Sequence, residues 1–107
     1  MISFEDAEKA LNYRAHTDAE CARLKGIYED LSERKKVTLN VAANNAEGSA
    51  AARLQVAYSS KEYQDHLAAL NVALIEFETM KSRRATAEIK IEMWRSINSS
   101  MRRGNIQ

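Results

Sequence analysis

With 107 residues the chain is long enough for one domain and not for two. It has no proline and only three glycines, so the tight turns of a sheet-rich fold have few residues to make them, and an extended helical protein is what the composition leaves. A net charge of +1, from 16 Lys and Arg against 15 Asp and Glu, argues against a histone-like polyanion binder. Hydrophobic residues make up 45% of the chain, but many are alanine, which suits thin helical layers better than a thick core.

The first element is signalled at Ser3, followed three residues later by Asp6, an N-cap spacing with acids in the first turn. From Phe4 to Tyr58 the residues are good helix formers, with apolar positions such as Leu24, Ile27, Leu31, Val41, Ala52 and Val56 broadly three and four apart. This predicts one long helix, about 4–58, with a soft middle. Asn44, Asn45 and Gly48 are its weakest points, each costing up to about 1 kcal/mol relative to alanine, so a kink or break belongs near 44–49. Ser59 and Ser60 supply the best turn signal, and Ser59 with Glu62 has the spacing of a capping box. A second helix, about 61–103, follows on a seam of Tyr63, Leu67, Leu70, Leu74, Phe77, Met80, Ala87, Ile91, Trp94 and Met101. Its end is read at Arg102-Arg103-Gly104-Asn105-Ile106, with Gly104 left-handed and Ile106 packing back. A helix of roughly 40 residues is about 60 Å long, too long to stand alone. The fold class is therefore an all-α, long antiparallel helical hairpin forming a single domain. Apolar surface left by the thin hairpin and by the alanines between 42 and 57 points to a homo-oligomer.

Charge is unevenly spread. Residues 1–33 carry four basic and eight acidic side chains, whereas residues 81–107 carry seven basic and two acidic. If the chain reverses at Ser59-Ser60, facing residues have numbers summing to roughly 119, which sets Arg34, Lys35 and Lys36 beside Arg83 and Arg84 with Lys81 one turn away. Crowded cations favour an anion, so this level is a candidate site for nucleic-acid phosphates or an acidic protein; a solvated face with local ion pairs is the plainer reading.

Other chemistry is sparse. His16 and His66 have no metal-ligand spacing, and there is no phosphate-cradling glycine loop or nucleophile elbow, so neither an enzyme, a metal nor a cofactor is expected. Cys21 is alone and reads as a small apolar residue of a reducing compartment. The start of the chain lacks the basic and apolar runs of a signal peptide, and no stretch reaches the roughly 20 apolar residues of a membrane span. A cytoplasmic protein is the expectation.

Ala52-Arg53-Leu54-Gln55-Val56-Ala57-Tyr58, a short polar turn, Tyr63, and a long helix closing in Arg103-Gly104-Asn105-Ile106 together resemble the recombination mediator proteins of tailed phages, the UvsY type, over roughly residues 34–107. The resemblance implies a small helical protein of a phage-infected or prophage-carrying bacterial cytoplasm that assembles as a homo-oligomer and binds single-stranded DNA. It also implies that the protein loosens the single-strand-binding protein and helps load a RecA-like recombinase. Arg53 and Leu54 match the family's central basic motif, with Tyr58 just after. Lys35, Lys36, Lys81, Arg83 and Arg84 complete the candidate DNA surface through the hairpin arithmetic. Two other readings stand beside this one: a helical-hairpin adaptor or inhibitor that binds protein and ignores nucleic acid, and a secreted hairpin of the WXG type, whose Trp-x-Gly turn is missing here.

Overall fold

The computed structural model describes the backbone of residues 1–106 and the side chains of residues 1–104. These residues form an all-α antiparallel hairpin of three helices: α1 over Phe4–Asn44, α2 over Ala50–Tyr58 and α3 over Lys61–Ile106. None of the described helices is long and apolar enough to cross a membrane.

Local chemistry sets the helix starts. The Ser3 hydroxyl accepts from the Asp6 amide at 3.1 Å and the Asp6 carboxylate accepts from the Ser3 amide at 3.2 Å, so two end donors are satisfied reciprocally. Where one helix is expected over 4–58, the chain breaks completely. Asn45 and Ala46 close the last turn of α1, and Gly48 takes φ +109°, a left-handed value that side chains rarely adopt. Ser49 then caps α2, its hydroxyl accepting from the Ala52 amide at 3.2 Å. The next cap falls one residue later than the Ser59/Glu62 spacing predicts. Ser60, not Ser59, accepts from the Tyr63 amide at 3.2 Å, because the Ser59 hydroxyl is turned back onto the carbonyls of Gln55 and Val56. At the other end α3 continues to Ile106 instead of stopping near 103, and Gly104 does not take a positive φ. Packing of the Ile106 side chain lies outside the described side chains.

The helices cluster into two compact units. In the first, residues 1–22, which include the start of α1, run against the part of α3 from residue 78 on; in the second, residues 23–77 contain the rest of α1, all of α2 and the start of α3. The first unit is built on Ala10, Ala87 and Ile91, with Tyr13 packed against them and its hydroxyl 3.6 Å from the Met80 sulfur. Phe4 meets Trp94 at 5.5 Å between ring centres. Leu24, Ala42, Ala57, Tyr63 and Ala73 are the buried residues of the second unit, where Tyr28 also stacks on Phe77.

The observed register departs from the expected one. Phe4 meets Trp94 and Asp18 meets Arg84, pairs whose numbers sum to 98 and 102. The expected sum of roughly 119 assumed a two-residue bend. The bend is in fact the stretch between Asn44 and Lys61, whose numbers sum to 105, because the interruption at Gly48 frees α2 from α1.

Candidate nucleic-acid interface

Two of the expected cations and one aromatic meet in the second unit. Lys35 and Lys36 line an open hollow of about 550 Å³ with Ser32, Glu33, Leu39, Tyr58 and Tyr63. The bend explains this. Ala57 is fully buried beneath it, which fixes the end of α2, and Tyr58 follows directly. The Tyr58 ring meets Tyr63 edge to face at 5.6 Å; Tyr63 is 6% exposed and Tyr58 48%, so one ring is anchored and the other presents a free side. The Tyr58 carbonyl accepts from the Gln64 side chain at 2.7 Å, which holds the backbone there. Glu33 partly offsets the two lysines.

Arg53 lies in the same unit but is turned to its own loop, with Nε donating to the Gly48 carbonyl at 2.9 Å. It braces the break before α2, and the residue stays exposed.

Lys81, Arg83 and Arg84 belong to the first unit, and they differ from one another. Arg84 is a structural residue: one nitrogen donates to the Arg14 carbonyl and the Thr17 hydroxyl, each at 2.8 Å, and the other pairs with Asp18, leaving its side chain 15% exposed. Arg14 in turn pairs with Glu88. Lys81 is exposed on α3. Arg83 borders a different hollow of about 400 Å³, together with Lys9, Lys90 and Asp6 over a floor of Ala10, Tyr13 and Ala87. The Asp6 carboxyl is held below its ordinary range mainly by the backbone and hydroxyl hydrogen bonds of Ser3, with smaller help from the charges of Lys9 and Lys90. Lys9 and Lys90 were not expected in a site. Lys90 shares a helix face with Arg83 seven residues before it, a legible signal, but Lys9 joins them only through the α1–α3 register.

The register of roughly 119, which would set Arg34, Lys35 and Lys36 beside Arg83 and Arg84, is thus replaced. Arg84 faces Arg14, Thr17 and Asp18, while Arg34 pairs with Asp30 within α1 and Lys35 and Lys36 border the two tyrosines.

His66 is a structural residue too. Its Nε2 lies 2.7 Å from the Leu31 carbonyl, which only accepts, so Nε2 carries a proton; in the neutral ring Nδ1, 3.2 Å from the Thr38 hydroxyl, then accepts from it. Among the described residues no group of three metal-ligating side chains comes together. No protein-family model, curated protein sequence or solved structure matches the chain.

Proposed function

We propose that this chain is a non-enzymatic accessory protein that binds single-stranded DNA and acts as a homo-oligomer in the bacterial cytoplasm during phage recombination. In this reading it loosens the single-strand-binding protein and helps load a recombinase. One observation carries the nucleic-acid part: Tyr58, half-exposed and set against the anchored Tyr63, borders the same hollow as Lys35 and Lys36. An aromatic face accepts any base, and neighbouring ammonium groups accept the phosphates on either side. Sequence-independent binding of a flexible strand needs little more than that pair of features. The resemblance to the recombination mediators supplies the recombination context, and its Arg53 and Tyr58 lie in the same unit as the two lysines.

The test is fluorescence anisotropy of a labelled oligothymidylate titrated with the protein at several salt concentrations. Binding should weaken with salt, and replacing Lys35 and Lys36 by Gln should make the log–log slope shallower by about 0.7 for each phosphate no longer neutralised. Tyr58→Ala should cost on the order of 1–3 kcal/mol of affinity at fixed salt. Absence of binding at low salt overturns the reading.

A second reading has an observation of its own. Val37, Val41 and Val56, each more than half exposed, share a hollow with Ala42 and Ala46 in the second unit. Such a surface suits a polypeptide partner, so the adaptor or inhibitor function takes over if the oligonucleotide does not bind.

A further inference from the structure

Among the described residues of the first unit, helix α3 packs one face against α1 and leaves the opposite one exposed, Thr86 at its edge also bordering the Arg83 hollow. Arg84, Ala87, Ile91 and Trp94 face α1, through the contacts with Asp18, Ala10 and Phe4. Two positions beyond each, about 200° around the helix, runs a second series: Thr79, Ser82, Thr86, Ile89, Met93 and Ser96. Its steps alternate three and four, none of its members is charged, and all six are exposed, Ile89 by 59% and Met93 by 48%. In the sequence the same spacing extends back to Ile75 and Val72. The Thr86 hydroxyl donates to the Ser82 carbonyl of its own helix at 3.1 Å, so that threonine can be covered without an orphaned donor.

We infer that this face is a self-association seam, filled by the same stretch of a second copy of the chain lying parallel and in register. The inference rests on the assembly half of the proposed function and not on its nucleic-acid half. A series stepping three and four drifts only about 20° per heptad on a straight helix, so a second helix of the same spacing can lie along it. Charge selects the orientation. Glu78 and Arg83 flank the seam five residues apart, the spacing that pairs across a parallel dimer, so Glu78 meets Arg83 of the partner subunit and the reciprocal pair forms by symmetry. Antiparallel overlays of the stretch on itself bring Arg83 against Lys90 of the partner subunit, or Lys90 against Lys90 of the partner subunit, and like charges so placed repel.

The full chain is studied by sedimentation equilibrium as wild type, Glu78→Arg, Arg83→Glu and the double variant, with circular dichroism to confirm that each is helical. Each single reversal should weaken dimerisation about tenfold, since two attractive pairs become two repulsive ones, and the double variant should regain most of it. A geometric arm uses Cys21→Ser with a single new cysteine at Ser82→Cys or Ser96→Cys, oxidised under mild conditions. Both should give disulfide-linked dimers, because a parallel in-register pair brings each position to its own counterpart. Helical single reversals that associate as tightly as the wild type overturn the seam, as does a double variant that stays as weak as the singles. So does failure of either cysteine to cross-link. A wild-type chain that stays monomeric at every concentration overturns the seam and the assembly half of the proposed function, while the oligonucleotide titration decides the nucleic-acid half separately.

Discussion

Arg84 and Lys35 show how two residues of one charge, both legible as cations in the sequence, come to play opposite parts. Arg84 is held by a carbonyl, a hydroxyl and a carboxylate and is 15% exposed, whereas Lys35 and Lys36 are exposed beside Tyr58 and Tyr63. Truncating the first leaves the Thr17 and Asp18 groups without their donor, so Arg84→Ala should lower unfolding stability by roughly 1–3 kcal/mol in urea titrations. Lys35→Gln and Lys36→Gln should stay within about 0.5 kcal/mol of wild type. A similar distinction applies to pH. The folded-state pKa of Asp6 is lowered, so its contribution is fully present above the unfolded value of 3.8 and is lost as pH falls through the folded value. Amide exchange in the first turn of α1 should therefore accelerate in that acid window, in step with the carboxyl titration followed by NMR.

At the scale of the element, the two described glycines of α1 and its following loop should respond oppositely to alanine. Gly48 has φ +109°, and a Cβ there would lie 3.4 Å from that of Ala52, so Gly48→Ala strains the break and should destabilise by about 1 kcal/mol or more. Gly26 lies inside α1 with nothing within 4 Å of an added Cβ, and Gly26→Ala should stabilise by up to about 1 kcal/mol through helix propensity. Thermal or urea melts of the two variants check the signs against each other. Equal destabilisation would contradict the placement of Gly26 in open helix. Position 48 matters beyond its own energy, because the break it allows releases α2, and α2 carries Tyr58 to Tyr63.

For the whole molecule, the small size of the buried side chains has a thermodynamic consequence. Six of the nine buried apolar residues described are alanines, while Phe4, Leu11, Val72, Ile75, Ile89 and Met93 remain exposed. Alanines allow close helix approach but remove little apolar area from water, so a chain of this kind gains from covering its exposed side chains in an assembly. If it assembles as proposed, the melting midpoint should rise with protein concentration, as mass action requires when the folded form is the one that associates. A midpoint unchanged over a hundredfold range would speak against assembly.

The sequence alone determined that the chain is helical, where α1 and α3 begin and where the first stretch is weakest. Those features depend on groups near in sequence: the Ser3–Asp6 cap, the Asn-rich stretch before Gly48, and the three- and four-residue spacing of apolar positions. It also singled out Lys35, Lys36 and Tyr58. Tertiary structure decided which cations are surface and which are struts, because that depends on the pairing of helices and not on their periodicity. One residue shows the reason. Whether Gly48 only bends the helix or ends it moves the point of reversal by several residues, and with it every cross-helix partner; a local propensity of about 1 kcal/mol cannot fix that choice without the packing that Ala57 and Tyr63 provide around the bend.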